Sequence, residues 1–250
     1  MRYFYINQSD IIGSTSIIIG TDAKHIKKVL RLKPGEMIGL FDGLGFEYEA
    51  RIVHLAADSV EVLITRRFPS KTESPVKIIV AQAFLKDRKM DTLVRQLSEL
   101  GITKWIPFIA SRSVPQPDKK RLAARTERWE KIAIEAMKQC KRGRITEIGA
   151  TLSFENILKT VEDCDLKIVF YENETKSINS IRSKHDRNIG AICIMLGPEG
   201  GFTSQEIESA RNCGFHICAL GPRIMKAETA TIAASTLIQY LFGDMGLNIS

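Results

Sequence analysis

Two short segments carry most of the chemical promise of this sequence: Leu196-Gly-Pro-Glu-Gly-Gly-Phe202 and Leu220-Gly-Pro-Arg-Ile-Met-Lys-Ala-Glu-Thr229. Each follows an apolar, β-branched run and precedes a helical pattern. Glycine lets backbone amides and carbonyls approach a ligand closely. In an open α/β sheet, ligands bind just beyond the carboxyl ends of the strands. Two such loops in tandem point to a small-molecule pocket built from main chain; the plainer alternative is a pair of tight turns with no ligand. Neither loop is Gly-x-Gly-x-x-Gly, and neither ends in Gly-Lys-Ser/Thr, so the dinucleotide and P-loop fingerprints are absent. There is no Gly-x-Ser-x-Gly elbow and no His-Glu-x-x-His. The five cysteines form no Cys-x-x-Cys pair, and no histidine stands at zinc-ligand spacing from two of them. They read as small hydrophobes in a reducing compartment. His25, beside Lys24, Lys27, Lys28 and Arg31, reads as a polar-face residue. His54, His185 and His216 read as structural, and no metal is expected.

The second constellation is basic. Arg121, Arg125 and Arg128 follow one face of a helical pattern, continued by Lys131, Lys138 and Arg142, with Lys141 and Arg144 close by. Glu135 interrupts the stripe. Such a stripe is often only a solvated helix face, but with Arg112, Lys119 and Lys120 nearby its density suits contacts to phosphate, which are strong in sum and blind to sequence. The chain's net charge of +7 is concentrated here: residues 1–72 carry +2, residues 73–150 carry +8 and residues 151–250 carry −3. At 44% hydrophobic and 26% charged residues, the composition excludes a disordered chain. The longest uncharged apolar run, residues 189–198, is far short of the ~18 residues that span a bilayer. The amino terminus lacks the pattern of a secretory signal, so the expected location is the cytoplasm.

The elements that must position these residues fall into two textures. Over residues 1–70 the strand-like runs are Ser16–Ile19, Met37–Phe41, Glu47–Val53 and Ser59–Thr65, with Pro34-Gly35 and Asp42-Gly43 as turns. A helix over Asp22–Leu32 would place Ile26, Val29 and Leu30 on one face. This predicts a small, partly closed β-barrel, followed by a polar linker over Phe68–Pro75. From residue 76, strands alternate with helices. The strands are Val76–Ala83, Lys104–Ile109, Lys167–Tyr171, Ala191–Leu196 and His216–Leu220. The helices run over Asp87–Leu100, Lys119–Cys140, Thr203–Cys213 (opened by the capping box Thr203-x-x-Glu206) and Glu228–Phe242. Such alternation implies a mostly parallel sheet covered on both faces.

The two glycine loops, taken in order with three further motifs, resemble the RsmE family, the bacterial 16S rRNA uridine-N3 methyltransferases of the SPOUT superfamily. His25-Ile-Lys-Lys-Val-Leu-Arg-Leu-Lys-Pro-Gly35 is similar to the family's first-domain signature. Lys86-Asp-Arg-Lys-Met-Asp91 with Ser98-Glu-Leu-Gly101 matches a second, and Arg128-Trp-Glu-Lys-Ile-Ala-Ile-Glu-Ala-Met-Lys-Gln139 a third. Two departures are Ala227, where many members have threonine or arginine, and Lys138-Gln-Cys-Lys-Arg142, where Gln-Ser-Gly-Arg is more usual. The resemblance implies a PUA-like, RNA-binding β-barrel over residues 1–70. It implies a SPOUT-type α/β methyltransferase domain over residues 74–250, with a deep carboxyl-terminal trefoil knot. It further implies S-adenosylmethionine as cofactor, 16S rRNA of the small ribosomal subunit as substrate, and a homodimer.

On that reading, Tyr171, Leu196, Gly197, Glu199, Gly200, Gly201, Leu220, Gly221, Ile224, Met225 and Thr229 are expected to hold the cofactor. Arg31, Arg112, Arg121, Arg125, Arg128 and Lys131 are expected to contact RNA. A cation beside the uracil ring would stabilise the charge that develops on O2 and O4; Arg223 is the first choice, with Arg88 and Arg112 as alternatives. A carboxylate, Glu199 or Asp91, would take the N3 proton. Two other readings stay open: the same fold acting on tRNA or on a ribose 2′-oxygen, and a non-catalytic RNA-binding assembly factor.

Overall fold

The computed structural model describes residues 2–114, 118–182 and 189–246; His185 lies outside them. The chain divides into two compact units, Met1–Glu73 with Met137–Ile145, and Ser74–Ala136 with Thr146–Ser250.

In the first unit, strands β1 (Tyr3–Tyr5), β2 (Ile11–Ile12), β3 (Thr15–Ile19), β4 (Met37–Phe41), β5 (Phe46–Leu55) and β6 (Ser59–Pro69) form one sheet in the order β1-β4-β5-β6-β3-β2. Only the β1–β4 pairing is parallel. The period-two pattern of β5 turns Tyr48, Ala50 and Ile52 into a core shared with Phe4, Ile18, Leu40, Val60 and Val62. Two register shifts between β5 and β6, at Glu49/Ala50 and Ile52/His54, mark bulges, which bend and twist a sheet locally. The structure differs from the sequence expectation in the helix. Helix α1 covers Gly20–Lys24 and widens into a π turn over His25–Val29, closed by Leu30 N–H donating to His25 O at 2.9 Å. The wider turn rotates Val29 outward, to 68% exposure, while Ile26 is fully buried. Strands β1 and β2 were not expected, and β6 runs through Pro69, into the segment expected to be linker.

Residues 137–145 join this unit through a buried ion pair. Arg142 is 4% exposed; its Nη2 lies 2.8 Å from Glu73 Oε2, and Glu73 Oε1 accepts from the Arg144 amide at 3.0 Å. Gly143 has no room for a side chain, because a Cβ there would stand 2.2 Å from Ser70 Cβ. Lys138 pairs with Asp22 at 3.0 Å. Lys138 and Arg142, read from sequence as part of a phosphate-facing stripe, are thus engaged by carboxylates of the first unit. Removing one partner of a buried pair strands the other. Arg142→Met is therefore expected to cost about 3 kcal/mol in denaturant unfolding, and a loss below ~1 kcal/mol would mark the pair as no more than a solvated surface contact.

Among the described residues the second unit holds seven strands, all parallel: β7 (Lys77–Ala83), β8 (Lys104–Ile109), β9 (Glu147–Ile148), β10 (Leu152–Ser153), β11 (Leu166–Phe170), β12 (Ala191–Leu196) and β13 (His216–Cys218). Their order is β10-β8-β7-β12-β11-β13, with β9 also beside β8. The helices are α2 (Lys89–Glu99), α3 (Lys119–Cys140), α4 (Phe154–Thr160), α5 (Asn179–Arg182), α6 (Ser204–Asn212) and α7 (Ala227–Phe242). The strand–helix alternation follows the expectation; the two-residue strands β9 and β10 and helices α4 and α5 are additions too short for periodicity to reveal. Stacked Phe108 and Phe202 (6.4 Å between rings) and the Trp105–Trp129 edge contact (4.9 Å) anchor the aromatic packing. The capping box forms as the sequence suggests, with Thr203 Oγ1 accepting from Glu206 N–H and Glu206 Oε2 accepting from Thr203 N–H.

Two features of this sheet position the glycine loops. Phe170 of β11 is level with Leu196 of β12 on one side and with Cys218 of β13 on the other, so three neighbouring strands end at one height. Helix α7 then returns from the sheet's edge to its middle: Thr231 Oγ1 donates to Gln82 Oε1 of β7, and Gln239 Nε2 donates to Leu100 O beyond α2.

Candidate active site

The loops that leave β11, β12 and β13 enclose a cavity of about 560 Å³. Both glycine segments line it, with β11 running between them. In the first loop, Gly201 N–H donates to Pro198 O at 2.9 Å, closing a turn, and Gly201 takes φ +67°, a conformation that only glycine adopts without strain. The loop is pinned from behind. Gln82 Nε2 donates to Gly197 O at 3.3 Å, and Arg112 Nη1 donates to Gly200 O at 3.0 Å. In the second loop Ile224 is 87% exposed, an apolar side chain left uncovered on the cavity wall.

Of the residues expected to hold a cofactor, Tyr171, Leu196, Gly197, Glu199, Gly201, Leu220, Gly221, Ile224 and Met225 line the cavity, as does Arg223. Gly200 is not on the wall; it faces Arg112, whose Cβ would lie 3.2 Å from a Cβ at Gly200. Thr229 is exposed and off the wall, while its neighbours Glu228 and Ala230 are on it. Arg88 caps helix α2 without reaching the cavity lining. Asp91 is also off the wall and already engaged: Arg128 Nη2 stands 2.8 Å from Oδ2, and Trp129 Nε1 donates to Oδ1 at 3.0 Å. Both carboxylate oxygens of Asp91 are thus occupied by side chains of α3.

Glu199 is on the wall but is engaged too. Its Oε1 accepts from the Lys86 amide at 3.1 Å and from Lys89 Nζ at 2.9 Å. Burial by itself would raise this carboxyl, but the bonds from Lys89 and Lys86 outweigh it and hold the group below its ordinary pKa. Lys89 is raised in turn, chiefly by its bond to Glu199. Lys89, Glu172 and Glu228 line the cavity without having been singled out from the sequence. The usable signal for Lys89 was its place at the start of a helix that directly follows a central strand.

The residues expected to contact RNA are distributed differently. Arg112 supports the first glycine loop. Arg121 is 3.5 Å from Asp118, Arg125 lies 5.7 Å over the Phe84 ring, and Arg128 holds Asp91 while remaining 57% exposed. Lys131 is exposed, and so is Arg31, a residue of the first unit with φ +53°.

Comparison with known proteins bears on this arrangement. Residues 72–239 match the RNA methyltransferase domain, and residues 18–65 match the RNA methyltransferase PUA domain. Over 231 residues, 90% of each chain, the sequence is 32% identical to ribosomal RNA small subunit methyltransferase E of Bacillus subtilis (strain 168). The chain belongs to the ribosomal RNA small subunit methyltransferase E family. It is thus an RNA methyltransferase by family, with an α/β methyltransferase domain that follows a PUA-like amino-terminal domain in the sequence. A crystal structure of ribosomal RNA small subunit methyltransferase E from Neisseria gonorrhoeae, bound to S-adenosyl methionine, superposes with a TM-score of 0.86 at 33% identity, covering 98% of this chain and 99% of that one. A methyltransferase from Legionella pneumophila in complex with the same cofactor gives 0.84 at 29% identity, covering 97% and 98%. The match to the methyltransferase domain takes in the whole cavity wall of this family member. Among the described residues no helix is long and apolar enough to cross a membrane, and no group of three acidic, histidine or cysteine side chains is placed to hold a metal.

Proposed function

We propose that this protein methylates N3 of a specific uridine in 16S rRNA of the small ribosomal subunit, with S-adenosylmethionine as methyl donor. The observation that carries the reading is the cavity between the two glycine loops, in a chain of this family. Its volume is in the range of ~300–1,000 Å³ usual for small-ligand sites. Its wall combines apolar side chains (Phe170, Leu196, Ile224, Met225) with carboxylates and amines (Glu172, Glu199, Lys89, Lys226), a mixture suited to an adenine ring joined to a charged amino acid. S-adenosylmethionine, when bound there, supplies an electrophilic methyl group on a sulfonium centre.

The chain's own residues do the rest. Main chain of the loops at Leu196, Gly197, Gly201, Leu220 and Gly221, with Ile224, Met225 and Tyr171, holds the donor. Arg223, exposed and on the cavity wall, stabilises the negative charge that spreads onto O2 and O4 as the ring loses its N3 proton to solvent water. Glu199, held ionised by Lys89, serves loop geometry better than proton transfer. Much of the acceleration then comes from aligning N3 with the methyl group. Arg31 of the first unit and Arg112, Arg121, Arg125, Arg128 and Lys131 of the second supply contacts to RNA backbone. In this reading residues 1–70 are the RNA-binding domain and residues 74–250 the methyltransferase domain. The return of α7 from the sheet's edge to β7 supports a trefoil knot. The half-exposed Leu237 and the exposed Tyr240 on α7 suit a homodimer, and an rRNA substrate suits the cytoplasm.

The test is a labelled-methyl assay on small ribosomal subunits from cells lacking the enzyme. Nucleoside analysis is expected to yield 3-methyluridine at one site. Preferential labelling of free tRNA, or a 2′-O-methyl product, would overturn the substrate assignment; absence of S-adenosylmethionine binding would favour the non-catalytic assembly factor.

A further inference from the structure

We infer that Lys89 is a positioning residue, an ammonium that ties the two glycine loops to one another and so keeps the cavity in its binding shape. The inference rests on reading the cavity as the S-adenosylmethionine site.

Lys89 is the first residue of α2, and two separate pieces of chain converge on its ammonium. Nζ lies 2.9 Å from Glu199 Oε1 in the first glycine loop and 3.4 Å from Glu228 Oε2 in the first turn of α7, which follows the second glycine loop. Glu199 takes a further bond from the Lys86 amide, so the first loop is held twice by the segment leading into α2. Glu228 has no comparable support: its Oε2 is buried and makes no hydrogen bond. The Lys89 ammonium, 3.4 Å away, is the charge that this oxygen faces.

The three side chains are each about one-third exposed, at 32%, 28% and 32%. Single pairs of that exposure contribute little to global stability, so this cluster is not a device for holding the fold together. Its effect is local. The second glycine loop is exposed over Gly221–Ile224, and its departure toward α7 is fixed at Glu228. Without the ammonium, two carboxylates would be left converging on an empty centre, and like charges at close range repel. The path of relief is movement of the less-supported partner, Glu228, and with it the loop ahead of it. A site that is properly shaped only part of the time binds with an affinity reduced by that fraction. Loss of the tether therefore acts on cofactor affinity and not on the chemical step or on RNA.

The loop carries its own reporter, because Arg223 and Lys226 are trypsin sites within it. In protein free of cofactor, Lys89→Met is expected to speed cleavage after Arg223 and Lys226 severalfold, with thermal stability close to wild type; Lys89→Arg, which keeps the charge, is expected to cleave at the wild-type rate. Calorimetry is expected to show S-adenosylmethionine binding to Lys89→Met about tenfold weaker. The KM for the methyl donor should rise by a similar factor while kcat at saturating donor and the KM for RNA stay within twofold. Cleavage of Lys89→Met within twofold of wild type overturns the inference, and so does a rise in the KM for RNA with donor affinity unchanged. Should Lys89→Met fail to fold, Glu228→Gln decides: it cuts only the tether to α7, and unchanged cleavage of the second loop overturns the inference. Failure of the wild-type protein to bind S-adenosylmethionine would instead overturn the assignment of the cavity, and the cleavage contrast would still judge the tether.

Discussion

Replacing Gly201 by valine is expected to weaken S-adenosylmethionine binding more than any other single substitution in the cavity, and to leave the fold intact. Gly201 stands at φ +67°, where a side chain costs about 1–2 kcal/mol, and a β-branched one more. A Cβ there would meet Glu172 Oε1 at 2.3 Å. The tip of Glu172 can swing aside, so the steric conflict alone is tolerable. The backbone is not so free, because the loop is pinned through Gly197 O and Gly200 O. Strain and pinning together force the main chain that lines the cavity to shift, and the added methyl groups occupy the wall. A loss of affinity of about 100-fold or more is expected, equivalent to ~2.7 kcal/mol. Gly201 lies in a turn at the surface of the core, so circular dichroism and the unfolding midpoint should change little. Calorimetry showing unchanged affinity would remove Gly201 from the cofactor site.

Arg223→Ala should do the opposite, sparing binding and removing turnover. Arg223 lines the cavity yet is exposed, and among the described residues no carboxylate forms an ion pair with it. Lys89 and Arg128, by contrast, are both engaged. An unengaged guanidinium beside a donor pocket is suited to charge that arises only during reaction. Removing a preorganised group of this kind costs about 10²–10³ in rate. Single-turnover measurements at saturating S-adenosylmethionine should show that loss, with donor affinity within a few-fold of wild type. Turnover within twofold of wild type would exclude the electrostatic role. Arg223→Lys, which keeps the charge but not the planar fork, should fall between.

How far these assignments are legible in the sequence differs by element. The alternation from residue 76 is readable because long buried strands and capped helices leave strong periodic signals, and the same pattern puts both glycine loops at strand ends. The cavity-lining residues are legible where glycine loops leave strand ends, as at Gly197, Gly201 and Gly221. They are not where a side chain's partner lies far away in sequence. Asp91 has the chemistry of a proton acceptor, but its partners Arg128 and Trp129 lie too far along the chain to be read from its neighbours. Lys89 and Glu228 are 139 positions apart by their numbering, and nothing local announces that they meet. Lys138 and Arg142 follow a helical stripe whose face can be counted but whose neighbours cannot. The π turn at His25–Val29 escapes because periodicity assumes one helical pitch throughout.

The return of α7 to the middle of the sheet also sets a timetable. The bond from Thr231 to Gln82 joins residues 149 positions apart, and the cavity wall draws on chain from Lys89 to Ala230. Contacts of such long sequence separation form late, since closing the intervening chain costs entropy before any contact rewards it. While the polypeptide is being synthesised, the central strands can pair and the first unit can fold, but the cavity has no second wall until Gly221 to Ala230 have emerged and α7 has docked. A nascent chain halted before α7 carries much of the fold and none of the chemistry.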